Sequence, residues 1–296
     1  MANEQRRPGK RGALPRNEQR VYPVLEHFLQ PWEGPLRSRV VRYGSSGGSY
    51  FSPDPLPPVP ASQDVDRASK VGSWPMYCNG PDPSNPAQIP GGVGDCTIVE
   101  RAHSFAAQRV YAGYPEPVFD NAVILERYGR WGGYRLGDPS TDHGCDPTVV
   151  LQGCVTDGIT DTSGYTHKLA AWAALADPHN LQLIAQILDS LGTVAIAGDI
   201  SQAQESQFVA RQPWENVPGS PELGGHMFCL QRRRHGGAGI NEVVTWGTLQ
   251  PATQRFMRLR IREAYAVWSQ DWISANGTSI QGLDMEALLN FMPDVG

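Results

Sequence analysis

The sequence predicts an α+β protein whose helices occupy the first half of the chain and whose strands occupy the second. Three observations carry that reading. Between Cys96 and Leu191, apolar residues recur at helical spacing in four stretches separated by turn residues. After Gly192 the pattern changes to short runs rich in β-branched and aromatic residues. Helices and strands do not alternate as a doubly wound sheet requires. The 296 residues suffice for one large domain or two small ones.

The elements follow in order. Residues 1 to about 20 form a basic arm (Arg6, Arg7, Lys10, Arg11, Arg16, Arg20) too polar to bury a core by itself. Val21 to Leu29 reads as a short helix. Residues 31 to 72 are rich in Pro, Gly and Ser, with Pro53, Pro55, Pro57, Pro58 and Pro60 close together, and read as an extended wrapping segment. The expected division is therefore 1–72 as arm and wrap, and 73–296 as the folded domain. Its helical half covers about 73–191 and its strand half about 192–296. Trp74-Pro75-Met76 reads as an apolar anchor, and residues 79 to 94 as a turn-rich loop. Ile98, Val99, Ala102, Phe105 and Ala106 share one helical face, predicting a helix from Cys96 to about Ala112 with Asp95 as its cap. Phe119 to Trp131 is a second helix. Asp146 as cap and Pro147 at the first position open a third, to about Thr156. Residues 167 to 173 fit a strand or a loop. Asn180 caps a fourth helix, which Gly192 ends.

Thr193 to Ile200, a run starting at His226 in Gly225 to Leu230, and Glu242 to Trp246 read as strands. Residues 201 to 224 read as a loop carrying Trp214. A helix is expected at Pro251 to Ala264, a strand at Tyr265 to Ile273 and a closing helix at Leu283 to Phe291.

The net charge of −5 gives no global reason to expect sequence-specific nucleic-acid binding. No apolar run approaches the roughly 20 residues a membrane span needs, and the N-terminus lacks the apolar stretch of a secretion signal. A cytoplasmic protein is therefore expected. The five cysteines (Cys78, Cys96, Cys145, Cys154, Cys229) are odd in number and widely spaced, which is not a disulfide framework. No CxxC pair is present, and neither His143 with Cys145 and Cys154 nor His226 with Cys229 has the paired spacing of a metal site. No cofactor or metal is expected.

The stretch Gly92 to Ile98 carries the chemistry. It places Cys96 at a helix start, where unpaired N–H groups and the positive end of the helix dipole favour a thiolate over a thiol. Glycines ahead of it admit a close-approaching backbone. A nucleophilic cysteine needs a histidine near it in space. His103 lies two turns further along the same helix, roughly 10 Å away at 1.5 Å per residue, and reads as a satisfied core histidine. His226, after two glycines at a strand start, is the better candidate.

These motifs, in this order, resemble the papain-like cysteine peptidase fold, and more closely a family of papain-like, C39-peptidase-like proteins of actinobacteriophages and their hosts. The resemblance runs through Trp74-Pro75-Met76 and Asn79, Gly94 to Thr97, Ala102-His103, Thr141 to Gly144, Gly224 or Gly225 to His226, and Val243 to Gly247. It continues in Glu263 to Ala266, Asp271 to Ile273 and Leu283-Asp284, covering about residues 70 to 292. It implies a helical half packed on a C-terminal antiparallel sheet half. It further implies Cys96 as nucleophile, His226 as base, the Cys96 backbone N–H as one oxyanion donor and a side-chain amide shortly before the cysteine as the other. Two positions depart from the family pattern. The residue that orients the histidine is an Asn or Asp just before Ser-Trp-Gly, and here Val243 and Val244 precede Thr245-Trp246-Gly247. Asn241 or Glu242 from a shifted register, or Asp199 from a neighbouring strand, are the candidate orienters. The amide position, about six residues before the cysteine, holds Pro90. Asn79, separated from Cys96 by the insertion Gly80 to Pro90, and Gln88 are the candidate donors.

Two functions fit. One is a thiol hydrolase, a peptidase or amidase of phage origin, cleaving a protein or peptide substrate through an acyl-enzyme on Cys96. The other is a catalytically silent papain-like fold serving as a virion structural or capsid accessory protein, bound to other virion proteins through its basic N-terminal arm. The first works in the bacterial host cytoplasm, the second in the virion.

Overall fold

The structure is a computed structural model that describes residues 39–43, 48–52, 63–79, 92–175, 177–234 and 240–272. The basic arm, the expected helices at Val21 to Leu29 and Leu283 to Phe291, the insertion and its Gln88 lie outside them.

Strands β1 (Arg39–Tyr43) and β2 (Gly48–Ser52) pair antiparallel with each other, and β3 (Val65–Asp66) follows. Helices α1 (Cys96–Tyr111), α2 (Asn121–Gly132) and α3 (Pro147–Thr156) stand where helical spacing places them. Asp146 accepts from the Thr148 N–H at 2.8 Å, and Pro147 gives up only an N–H that the first turn leaves unbonded. A short pair, β4 (Ile159–Thr160) and β5 (Thr166–His167), leads to β6 (Leu169–Ala174). Helix α4 (Leu181–Leu191) starts on Asn180, whose side chain accepts from the Leu183 N–H, and stops at Gly192 in the left-handed conformation at φ 81°. A Cβ there would also strike the Trp272 ring.

The strand half holds two elements that the apolar pattern does not announce. After β7 (Val194–Ser201) the expected loop forms helix α5 (Gln202–Val209), started by a capping box between Ser201 and Gln204. Strand β8 (Glu222–Arg233) begins earlier than expected, so His226 lies inside the strand rather than at its start. Strand β9 (Asn241–Thr245) turns back into β10 (Thr248–Ala252), where a helix was expected from Pro251. Pro251 is tolerated because β10 is the sheet's edge. Helix α6 (Gln254–Arg260) is correspondingly short, β11 (Ile261–Ser269) starts earlier, and a 3-10 turn covers Gln270–Trp272.

The main sheet has the order β10-β9-β8-β7-β11-β6, with β3 added beside β8, and every pairing is antiparallel. Alternation along the strands divides the core. Phe228 and Leu230 of β8, Ile196 of β7 and Ala266 of β11 face a cluster with α4, α6, Trp214 and Trp246. Met227, Ala195 and Val267 face a second cluster with Ile98, Phe105, Ile124, Val150 and Leu151 of α1 to α3. Helix α1 is buried along its first thirteen residues and carries a polar seam. Glu100 and Arg101 pair there, the Ser104 hydroxyl bonds Glu100 at 2.8 Å and Thr193 at 3.0 Å, and Gln231 donates to Thr193 at 2.8 Å. Leaving any of these groups unmatched in the interior would cost more than a surface bond gains, so the seam holds α1 in register on β7 and β8.

Candidate active site

Cys96 is the first residue of α1 and is 1 % exposed. Asp95 occupies the cap position, but its side chain makes no capping bond, contrary to the expectation from sequence. Its carbonyl accepts from the Ile98 and Val99 N–H groups at 2.9 and 3.1 Å. The N–H groups of Cys96 and Thr97 thus lie in the turn that no intrahelical carbonyl serves. The loop before the cysteine is held from the side. Asp142 accepts from the Gly94 N–H at 2.9 Å and from the Tyr128 hydroxyl at 2.7 Å, and the Tyr128 oxygen accepts from the Gly144 N–H at 2.8 Å. The Thr141 to Gly144 motif therefore acts as a buttress for the Gly-Asp-Cys turn.

The insertion does not carry Asn79 away from this turn. The Val93 N–H donates to the Cys78 carbonyl at 2.7 Å, and the Asn79 amide donates to the Val93 carbonyl at 3.2 Å. These two bonds close the base of residues 80–91 and set buried Asn79 beside the residues leading into α1. Upstream, His103 donates from Nε2 to the Pro75 carbonyl at 2.7 Å, and Trp74 packs edge-on against its ring. Burial pushes His103 down to about 4, so it is a neutral, satisfied core histidine as the spacing predicts.

His226 stands on β8, whose course follows α1. Ser104 lies level with Thr193 and Gln231 further along, and Met227 shares an apolar cluster with Cys96, while His226, one residue before it, turns to the alternate face of the strand with Phe228 and Trp246. The imidazole is buried, 1 % exposed, and two neighbours fix it. Nε2 is 2.6 Å from the Thr245 hydroxyl, and the Trp246 ring stacks on it at 4.6 Å between centroids and 25°.

Strand parity explains why Thr245 takes this position. The register Leu230↔Val243 and Cys229↔Val244 sets Thr245 against Phe228, one side-chain step from His226 on the same face. Val244 and Glu242 face the other side. Glu242 bonds Arg232 at 2.6 Å. Asn241 shares the face but sits four residues away along β9, about 13 Å at 3.3 Å per residue. Asp199 pairs with Gly225, so it too faces away, and its carboxylate accepts from Arg262 at 2.6 Å. None of the three expected orienters is placed at the histidine; Thr245, named in the Thr-Trp-Gly motif but not as its partner, is.

The turn after Thr245 is strained in a way that serves the ring. Trp246 and Gly247 form the two-residue connection between β9 and β10 with φ of 42° and 77°, the conformation of a type I′ hairpin turn. A bulky residue at positive φ is unfavourable by roughly 1–2 kcal/mol. Here it lays the indole against the imidazole. A Cβ on Gly247 would meet the Trp74 carbonyl oxygen at 3.2 Å, so the Trp-Pro-Met segment packs directly on this turn.

Three of the other four thiols are pushed up by their surroundings. Burial, reinforced by Asp146 and by Cys96 itself, pushes Cys145 up to about 12. Burial likewise pushes Cys154 and Cys229 up to about 12. Burial thus favours the thiol form in all three.

No family model and no curated relative matches the sequence. Solved structures do. Xylellain, a cysteine protease from Xylella fastidiosa, superposes with a TM-score of 0.56 at 10 % identity, covering 90 % of this chain and 99 % of that one. A procathepsin B from Trypanosoma congolense superposes with a TM-score of 0.51 at 12 % identity, covering 88 % and 87 %. With the helical layer, the antiparallel sheet and the order of elements described above, these likenesses give the chain the fold of the papain-like cysteine proteases.

Proposed function

We propose that this chain is a thiol hydrolase acting on an amide or peptide bond, with Cys96 as nucleophile and His226 as base. The observation that carries the reading is the held imidazole: a buried histidine with Nε2 on the Thr245 hydroxyl and an indole on its face is fixed in orientation. With Nε2 protonated and donating to Thr245, Nδ1 is the nitrogen that takes the thiol proton. The thiolate then attacks the substrate carbonyl and forms the C–S bond. The Cys96 N–H and the Asn79 amide stabilise the oxyanion, and the imidazolium returns its proton to the departing amine. Water releases the acyl group by the same steps in reverse. Thr245 replaces the family's Asn or Asp as the residue that holds the ring. We place the enzyme among papain-like proteins of phage origin on the motif order alone.

The test is the pH dependence of Cys96 alkylation by iodoacetamide, with His226→Ala as control. Rapid labelling at pH 6 that the control loses establishes a thiolate–imidazolium pair. Labelling that rises only near the free-thiol value of about 8.5, indifferent to His226, sinks the reading. One observation favours a silent scaffold with a structural role in a virion instead: Cys96 and His226 are each only 1 % exposed. The same titration decides between the two.

A further inference from the structure

The chain passes between two surface pockets as it runs from Arg211 to Glu215. One, of about 550 Å³, is bounded by Phe208, Val209 and Arg211 and by Leu249 and Pro251 of β10. The other, of about 460 Å³, is bounded by Glu215 and by Thr253, Arg255, Arg258 and Leu259 at α6. Three features meet here, and the first is charge. Arg211, Arg255 and Arg258 are exposed and make no ion pair among the described residues, whereas Arg260 and Arg262 pair with Glu222 and Asp199. Glu215 is the acid in these linings, and its Oε1 accepts from the Asn216 N–H at 2.8 Å. In a chain of net charge −5 this is a local positive surface. Arg211 stands at φ 56°, just past the end of α5, where glycine is usual. A cationic side chain is thus held there against the backbone's preference.

The second feature is an open strand edge. Thr245 and Thr248 flank a two-residue turn and exchange both backbone bonds. The next pair, Val244 and Leu249, is therefore non-bonded, and the Leu249 N–H and C=O point away from β9. Two residues on, the outward carbonyl of Pro251 accepts from the Trp214 N–H at 2.7 Å. Among the described residues no strand meets the edge at Leu249. The third feature is apolar surface: Val209 is 72 % exposed and Leu259 58 %.

We propose that the β10 edge with its two pockets is a docking surface for an extended, acidic segment of a partner protein. The segment adds to the sheet by exchanging backbone bonds with Leu249. Its apolar side chains rest on Val209 and Leu259, and its carboxylates meet Arg211, Arg255 and Arg258. The stretch from Arg211 to Glu215 reaches at most about 13 Å, so five or six extended residues pass from one pocket to the other. Charge complementarity selects an acidic occupant, and the strand edge selects a peptide: a DNA backbone carries no donor for the Leu249 carbonyl. The inference does not depend on the chemistry at Cys96.

The probe is a fluorescein-labelled Glu-Glu-Leu-Glu-Glu peptide, read by fluorescence anisotropy on the full-length protein carrying Cys96→Ala, so that no turnover consumes it. Binding should saturate below about 1 mM and weaken as salt rises from about 50 to about 200 mM. The triple variant Arg211→Gln, Arg255→Gln, Arg258→Gln should bind roughly tenfold more weakly. It leaves Phe256 and Met257, the buried side of α6, in place, so its urea midpoint should match that of the parent. Leu249→Pro removes an outward N–H and no bond to β9, and should weaken the peptide roughly fivefold or more. A Lys-Lys-Leu-Lys-Lys peptide that binds equally well, a triple variant that binds like the parent, or no binding by about 1 mM overturns the proposal. A folded Leu249→Pro protein that binds at full strength overturns the strand pairing and the proposal with it. A labelled oligothymidylate that binds more tightly than the acidic peptide gives the surface to nucleic acid and equally overturns it.

Discussion

Thr245→Val removes one hydroxyl and almost no volume, which makes it a sharp probe of the held imidazole. The bond it deletes is short, 2.6 Å, and both partners are buried. When Cys96 is a thiolate and His226 an imidazolium, Nε2 carries a proton and the hydroxyl accepts it. Hydrogen bonds to charged groups are worth about 1.5–3 kcal/mol, and 1.36 kcal/mol corresponds to one decade. Losing the acceptor should therefore depopulate the ion pair by roughly 10- to 100-fold. Iodoacetamide labelling of Cys96 reads this directly. At pH 6 the variant should label 10- to 100-fold more slowly than wild type, and Thr245→Ser should restore most of the rate. The curves should converge only where the pH is high enough to ionise Cys96 without help from His226. A Thr245→Val protein that labels at the wild-type rate at pH 6, while His226→Ala does not, would show that the hydroxyl has no part in holding the ring.

Other substitutions test the frame around the site. Trp246→Asn relieves a positive φ worth about 1–2 kcal/mol but removes a buried indole from the core at about 3–5 kcal/mol, so urea midpoints should fall and labelling at pH 6 should fall with them; labelling at the wild-type rate in the folded variant would mean the indole has no part in holding the ring. Glu100→Gln strands Arg101 as an uncompensated buried charge and should destabilise the fold by about 3–5 kcal/mol; a loss below 1 kcal/mol in chemical denaturation contradicts a dry ion pair there. Asp161→Asn tests the group around His167, whose ring nitrogens lie 2.7 Å from Asp271 and 3.2 Å from Asp161. Burial alone would raise the Asp161 carboxyl, but Ser163, His167 and the Tyr165 N–H outweigh it and hold it below its usual value. A depressed folded value stabilises above the unfolded one and is lost as pH falls through it. The variant should therefore be about 1 kcal/mol less stable at neutral pH, with a gap that closes below about pH 4; a gap independent of pH rules the linkage out.

Much of the fold was legible because local signals and burial agree in it. Asp146-Pro147, Asn180 and Gly192 mark helix ends by their own chemistry, and the structure places ends there. Helix α5 escaped because its apolar face is weak: Gln204 alone is fully buried, and Trp214 supplies the apolar cover from outside the helix. Its legible signal was the capping box Ser201-Gln204, which needs no apolar period. Strand β10 escaped because Pro251 was read as a helix start. The cue that outranks it is Trp246-Gly247, a tight turn that returns the chain antiparallel beside β9.

The candidate site divides along the same line. Cys96 could be found because a helix start states its electrostatics in the sequence, and His226 because glycines precede it. The orienting residue depends on something no local pattern states, the register between two strands nineteen residues apart at the histidine and its partner. A motif position suggests the residue just before Thr-Trp-Gly. Parity forbids it: once Leu230 faces Val243, only every second residue of β9 can share a face with His226, and the nearest is Thr245. A valine at the family's orienting position is thus no sign of a lost function, because the hydroxyl one residue later is the group that the sheet presents to the ring. The left-handed Trp246 follows from the same register. The turn must begin immediately after Thr245, and any longer strand would carry the indole off the imidazole. Orienter, stack and turn therefore stand or fall together, so a one-residue insertion between Val244 and Thr245 should abolish pH 6 labelling of Cys96 while leaving α1 and its buried polar seam intact.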